Sequence, residues 1–262
     1  MFSRTLARRL TAVAAVSALT LGLAPASQAD HARPPGPVNA QTTFDWGKPV
    51  WQDDYVGPLK KIWRTKGRGA VRNQHGMLTL NTSRRGSVSA TLKGTGHKVG
   101  RWEIRLRSRE YGKANRSYKV RTELVPAAKR DQNCGARNVA LNSYTLGGKR
   151  VHHYIRSLPD DQATSHTGLN LGNDRWHTFA VEVTKKRISW FVDAHVISTE
   201  NRPEALSKMP YTVRFTMLGQ GDKRMNKARM QMDWLRYFTL RKPNSKSVKA
   251  PLPRSGSFAD AC

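Results

Sequence analysis

The sequence predicts an all-β protein, a sandwich or jelly roll of antiparallel strands. Short runs in which apolar and polar residues alternate dominate its middle section, as half-buried strands require. Polar and glycine-containing turns separate these runs, and neither repeats nor sustained helical periodicity interrupt them. Many short strands without intervening helices favour two packed sheets over a mixed α/β fold.

The first 29 residues have the pattern of a secretory signal peptide. Arg4, Arg8 and Arg9 precede an apolar run over residues 10–23, and the small residues up to Ala29 suit cleavage. That run is too short for a membrane span, and no later run is long and apolar enough to cross a bilayer. We therefore expect a secreted, extracellular protein without a membrane span.

The rest of the chain is expected to hold one large β domain, residues 44–240, between two unstructured ends. Residues 30–43 are rich in proline, and residues 241–262 form a basic tail rich in lysine, serine and proline, which predicts disorder in both. Residues 203–207 are expected to form a helical turn at most. The predicted strands are residues 77–81, 87–92, 100–107, 118–125, 137–144, 151–157, 176–184, 187–192, 211–218 and 228–240.

The formal net charge of +28 favours an anionic partner. Acidic polysaccharide, anionic cell-wall polymer, phospholipid headgroups and nucleic acid all fit that description. Lysine and arginine are spread through the chain rather than gathered in blocks, which argues against a specific nucleic-acid patch. No coiled coil is evident, and we expect a monomer.

The two cysteines, Cys134 and Cys262, are expected to form a disulfide, because an even count in an exported protein favours pairing. The bond would join the C-terminus to the loop before Asn138. The neighbouring His152 and His153 would point to opposite faces of a strand and so could not share one ion. We expect no metal and no cofactor.

Several motifs follow one another along the domain in a fixed order: WQDDY at residues 51–55, KIW at 61–63, NQHGMLTL at 73–80, VGRWEIRLR at 99–107, RWHTFAVEVT at 175–184, ISWFVD at 188–193 and MDWLRY at 232–237. This series resembles glycoside hydrolase family 16 over roughly residues 44–240. The resemblance implies a concanavalin A-like jelly roll, in which two curved antiparallel sheets place a glycan cleft on the concave face.

The strand expected to carry the catalytic acids of that family departs from its pattern. Active members carry E-x-D-x-E or E-x-D-x-x-E, the first Glu being the nucleophile and the last the acid/base. Here the corresponding residues 138–142 read Asn-Val-Ala-Leu-Asn, and no such triplet occurs elsewhere. Retaining hydrolysis needs two carboxyl groups about 5 Å apart, and an amide can replace neither of them. The sequence therefore predicts that this mechanism is absent.

The leading hypothesis is a non-hydrolytic, secreted glycan-binding protein. Its partner would be a polysaccharide, held by hydrogen bonds to sugar hydroxyls and by aromatic stacking. On the strand before residue 138, the side chains that face the cleft are either Lys119, Arg121 and Glu123 or Tyr118, Val120 and Thr122. The candidate cleft residues are Arg121, Glu123, Asn138, Asn142, Tyr144 and His153.

Two alternatives remain open at this stage. The first is an active enzyme: a hydrolase of altered mechanism that uses Glu123, or a lyase of acidic polysaccharide. RTEL at residues 121–124 is similar to a strand of polysaccharide lyase family 7, in which Arg or Asn neutralises a uronate and His or Tyr removes a proton. Arg121, Asn138 and Asn142 would serve the first role, and Tyr144, His152 or His153 the second. The other alternative is a charge-driven binder of anionic cell-wall polymer or nucleic acid.

Overall fold

A computed structural model describes residues 38–112, 116–132 and 135–258. None of its described helices is long and apolar enough to cross a membrane. Among the described residues, 3-10 helices cover Lys129–Asp131 and Pro203–Ala205. The remaining elements are α1 (Ala40–Thr43), β1 (Trp51–Asp53), β2 (Trp63–Gly67), β3 (Gly69–Gln74), β4 (Met77–Thr82), β5 (Val88–Leu92), β6 (Gly100–Tyr111), β7 (Lys119–Pro126), β8 (Val139–Thr145), β9 (Arg150–Ser157), β10 (Asp161–Gly168), β11 (His177–Val183), β12 (Ile188–Val192), β13 (His195–Glu200), β14 (Tyr211–Leu218), β15 (Lys227–Phe238) and β16 (Arg254–Ser257).

The strands form two antiparallel sheets, which confirms the predicted all-β jelly-roll sandwich. The first sheet has the order β13-β12-β11-β6-β15-β4-β3, with β1 paired to β15. The second sheet has the order β16-β10-β9-β8-β7-β14-β5-β2. Most sheet neighbours are distant in sequence, so residues from several chain segments meet on each face.

Alternation along each strand separates a core face from an outer face. On β6, Trp102, Ile104 and Leu106 belong to the core, whereas Glu103 and Arg105 between them point away from it. Trp190 of the first sheet is fully buried, and its indole N–H donates to the Ala140 carbonyl of the second sheet at 2.9 Å. The sandwich is thus held by apolar burial and by a hydrogen bond that crosses between the sheets.

A second apolar cluster covers the outer face of the first sheet at one end. Phe44 and Trp46 pack edge-on against Phe191 of β12, with ring centroids 5.1 and 5.5 Å apart, and Trp46 also meets Phe238 of β15. The segment before β1 is therefore anchored by aromatic residues. The predicted disorder of residues 30–43 is wrong for α1, and residues 30–37 lie outside the described part of the chain.

The predicted disorder of residues 241–262 is also wrong for most of that segment. The Trp46 indole donates to Asn244, the Thr199 hydroxyl donates to the Val248 carbonyl, and β16 pairs with β10. Composition suggested a solvated tail, but contacts with distant strands order residues up to Phe258.

The predicted Cys134–Cys262 disulfide and the signal peptide lie outside the described residues. The described residues closest in sequence to the two cysteines are Gly135 and Phe258, and both lie against the guanidinium of Arg156. The disulfide stays a prediction.

We expect Glu103 to make the stability of the protein depend on pH. Its buried carboxylate accepts hydrogen bonds from the backbone N–H groups of Ala40 and Gln41. Burial nevertheless raises the pKa of Glu103 to about 7. Because the folded protein holds this proton more tightly than the unfolded chain, the free energy of unfolding should fall by up to about 3 kcal/mol as pH rises from about 4.5 to about 7.

Glu103→Gln keeps an acceptor for the Ala40 N–H and removes the titration. We expect denaturant unfolding of this variant at pH 5 and pH 8 to show a smaller loss of stability at the higher pH than the parent protein shows. Glu204→Gln, at an exposed carboxyl, is the matched control and should keep the parent's pH dependence. If stability depends on pH in Glu103→Gln as it does in the parent protein, Glu103 is not the group whose titration lowers stability.

Candidate functional site

The outer face of the second sheet carries a polar cluster centred on β7. On this strand Val120 and Leu124 belong to the core, so Lys119, Arg121 and Glu123 point outward. The structure thus selects the charged set from the two that the sequence left open.

Glu123 is the centre of the cluster. The residue is only 1% exposed, and three side chains donate hydrogen bonds to its carboxylate. Oε1 accepts from the Tyr154 hydroxyl at 2.7 Å and from Asn138 Nδ2 at 3.0 Å, and Oε2 accepts from Arg214 Nη2 at 3.2 Å. The donors come from β9, from the residue before β8 and from β14, so the carboxylate ties neighbouring strands together.

The environment keeps Glu123 ionised. Burial alone would raise its pKa, but the guanidinium groups of Arg214 and Arg121 and the hydrogen bonds from Tyr154 and Asn138 outweigh it and lower the pKa below its ordinary value. Burial and the Glu123 charge in turn raise the pKa of the Tyr154 phenol well above its usual range. At neutral pH Glu123 is therefore an anion and Tyr154 a neutral donor.

A β-bulge in β8 decides where its side chains point. Glu123 lies opposite Ala140, but Thr122 lies opposite Asn142, so one extra residue of β8 interrupts the alternation. Asn138, which precedes the bulge, lies beside Glu123 and donates to it. Asn142 takes the core-facing side of Thr122 and is fully buried, so its predicted place in the cleft is wrong.

The predicted cleft positions of Tyr144 and His153 are also wrong, because both side chains lie between the sheets. The Tyr144 hydroxyl is 2.8 Å from Ser108 Oγ on the first sheet. His153 Nδ1 is 2.6 Å from the Leu141 carbonyl oxygen, and its Nε2 is 3.0 Å from Thr167 Oγ1. Burial lowers the pKa of His153 to about 4, which leaves it neutral at physiological pH.

The outer residues of β9 are His152, Tyr154 and Arg156. His152 lies directly opposite His166 of β10, with ring centroids 6.3 Å apart. The Arg156 guanidinium lies over two rings, 4.8 Å from the centroid of Tyr154 and 4.4 Å from that of Phe258. Alternation with the core residues Val151 and Ile155 would have identified this set from the sequence.

Beside Glu123 the outer face has a depression of about 290 Å³. Lys66, Arg121 and Arg214 contribute cationic groups to it, and Ser89 and Thr216 contribute hydroxyls. The Thr216 hydroxyl and the Nε of Arg121 are buried and have no hydrogen-bond partner among the described residues. The depression therefore has a surplus of positive charge, and two of its lining residues each contain a buried polar atom without a partner.

Acids are scarce on this face. Within the described strands of the second sheet, Glu123 and Asp161 are the only carboxyl-bearing residues. Asp161 shares the strand face of Ala163, a core residue, and is exposed at the start of β10.

In the described parts of the chain, no group of three or more His, Cys, Asp or Glu side chains is arranged to hold a metal ion.

Residues 133–236 match the sequence model of a family described as Glycosyl hydrolases family 16. The matched region begins just before Asn138 and ends within β15, so it includes Tyr154 and Arg214. It starts after β7, which carries Arg121 and Glu123. A search of curated proteins found no match.

Solved structures of glucanases share the fold. The laminarinase from Rhodothermus marinus superposes with a TM-score of 0.62 and 16% identity, over 73% of this chain and 97% of that one. The endo-1,3-beta-glucanase (laminarinase) catalytic domain from Thermotoga petrophila gives 0.59 and 13%, over 74% and 98%. The endo-beta-1,3-glucanase from Pyrococcus furiosus gives 0.60 and 12%, over 73% and 94%. The fold and the matched region thus define a jelly-roll protein similar to glycoside hydrolase family 16.

Arg214 should be the cation on which Glu123 depends most. Arg214→Met would remove the positive charge that pairs with the buried Glu123 carboxylate. We therefore expect the free energy of unfolding at pH 7 to fall by about 3 kcal/mol. The loss should shrink towards pH 4, because protonation of Glu123 then relieves the unpaired charge.

Arg64→Met, on the same outer face but fully solvated, is the matched control and should change stability by less than about 0.5 kcal/mol. Denaturant unfolding of both variants at pH 4 and pH 7 measures the effect. Equal losses of unfolding free energy in the two variants would argue against Arg214 as the main compensating cation for Glu123. A loss in Arg214→Met that does not depend on pH would argue against it too.

Proposed function

We propose that the protein is secreted and binds an anionic polysaccharide on the outer face of the second sheet, without cleaving it by retaining hydrolysis. The observation that carries this proposal is Glu123, an ionised carboxylate whose two oxygens both accept hydrogen bonds and which lies beside the cationic Arg121 and Arg214.

The Glu123 geometry argues against a retaining hydrolase. That mechanism needs one carboxylate free to attack and a second, protonated carboxyl group about 5 Å away. Glu123 is ionised, and both of its oxygens accept hydrogen bonds from protein groups. Asn138, the residue just before β8, stands where the resemblance leads us to expect the first catalytic acid, and it donates to Glu123 instead. This amide therefore supports a fixed anion rather than a reaction.

The charges around the depression favour an acidic polymer over a neutral one. Lys66, Arg121 and Arg214 face it against the single carboxylate, which Arg214 already pairs. A uronate or sulfate group would meet Arg121 and Lys66, and sugar hydroxyls would meet Ser89 and Thr216. Arginine suits this role because its planar fork matches a carboxylate or sulfate.

Binding should be measured by calorimetry with alginate, which is a polyuronate, carrageenan, which is sulfated, and laminarin, which is neutral. We expect the anionic polymers to bind, laminarin to bind at least about tenfold more weakly, and affinity to fall as salt is raised. Arg121→Gln should weaken the anionic interaction severalfold, whereas Arg130→Gln, at an exposed arginine outside the cluster, should not.

Product assays on the same mixtures test the non-hydrolytic part of the proposal. We expect no new reducing ends and no absorbance from an unsaturated product. Release of reducing ends that disappears in Glu123→Gln would establish the hydrolase alternative instead. In the calorimetry, equal losses of affinity for the anionic polymers in Arg121→Gln and Arg130→Gln would indicate attraction by net charge alone. That is the behaviour of a non-specific binder of anionic wall polymer.

The lyase alternative loses two of its three candidate bases, because Tyr144 and His153 lie between the sheets. His152 remains on the outer face and is the residue an elimination would require. Formation of an unsaturated product from alginate that depends on His152 would overturn the binding-only proposal.

A further inference from the structure

A second concavity, of about 580 Å³, lies where the turn between β11 and β12 meets the segment before β14. It shares no residue with the depression beside Glu123. Its walls are mainly apolar and are formed by Val99, Val183, Ile188, Leu206 and Tyr211. Its volume falls within the range of about 300–1,000 Å³ that is typical of small-molecule sites.

Few polar groups inside this concavity are free to hold water. The Tyr211 hydroxyl is hydrogen-bonded to Ser207, and burial raises the pKa of Tyr211 to about 12, so the phenol stays neutral. Water in such a space gains few hydrogen bonds. An alkyl chain would gain about 25 cal/mol for each Å² of apolar surface that is removed from water.

Three exposed lysines, Lys98, Lys185 and Lys208, stand at the rim. None of them forms an ion pair with the described residues, and no acid lines the concavity. They approach one site from three separate segments: the residues before β6, the β11–β12 turn and the loop that precedes β14. An anion placed among them would relieve their mutual repulsion.

We propose that this concavity binds an anionic single-chain amphiphile, such as a fatty carboxylate, with the alkyl chain against Val183, Ile188 and Leu206 and the head among the three lysines. The apolar wall excludes a sugar, which needs many hydrogen-bonding partners. The lysine rim repels a cationic head and gives a neutral head no charge attraction. This site is independent of the polysaccharide proposal, because it uses different residues.

Calorimetry with dodecanoate, below its micelle concentration, tests the proposal on the full protein. Dodecyltrimethylammonium and dodecyl maltoside carry the same alkyl chain with a cationic and a neutral head. We expect saturable, one-to-one binding of dodecanoate, at least about tenfold tighter than either of the others, with a negative heat-capacity change from apolar burial.

The combined variant Lys98→Glu, Lys185→Glu and Lys208→Glu should weaken dodecanoate binding at least about tenfold. A variant with the same change in net charge, Lys129→Glu, Lys149→Glu and Lys223→Glu, alters exposed lysines elsewhere and should bind dodecanoate as the parent does. Leu206→Trp, which fills the concavity, should weaken binding of all three amphiphiles.

Three results would overturn the proposal. They are the absence of saturable dodecanoate binding, equal affinity for the three amphiphiles, and equal effects of the two triple lysine variants. Retention of dodecanoate binding by Arg121→Gln, which lies in the polysaccharide site, would support the separation of the two sites.

Discussion

The buried charge of Glu123 is the constraint on which the candidate site depends. An isolated carboxylate in this position would be strongly unfavourable, and the chain compensates it with Tyr154, Asn138, Arg214 and the nearby Arg121. These partners belong to different segments of the second sheet. The same contacts that stabilise the anion therefore fix the relative positions of the side chains that line the outer face.

That arrangement separates binding from catalysis in physical terms. A catalytic carboxyl group must gain or lose a proton, or attack, during the reaction. The hydrogen bonds to Glu123 favour one protonation state and occupy both oxygens, which suits a fixed part of a receptor. The cations around it remain partly unsatisfied, so the capacity for new interactions lies in Arg121 and Lys66 rather than in the acid.

The sequence was a good guide wherever a strand alternates without interruption. Periodicity predicted the two-sheet architecture and placed Arg121 and Glu123 together on β7. It failed on β8, because a bulge is set by pairing with both neighbouring strands and leaves no mark in the local pattern, and Asn142 and Tyr144 were therefore misplaced. The wrong position of His153 has a different cause. The apolar residues Val151 and Ile155, two positions away on either side, already indicated that its side chain points towards the core.

Long-range contacts account for the remaining differences. Arg214 and Tyr154 reach Glu123 across sheet neighbours that are 91 and 31 residues away in sequence, and no local signal connects them. The ordered ends have the same origin, because proline and lysine content suggested disorder while Ala40 and Phe258 contact Glu103 of β6 and Arg156 of β9.

The ionisation state of Glu123 is the most direct test of its role as a fixed anion in a binding site. Carboxyl-carbon NMR of the protein, with Glu123→Gln used to assign the resonance, would follow its titration. We expect Glu123 to be an anion throughout the neutral range, with a pKa below the ordinary value for glutamate. A pKa raised above about 6, as in a carboxyl group poised to donate a proton, would contradict it.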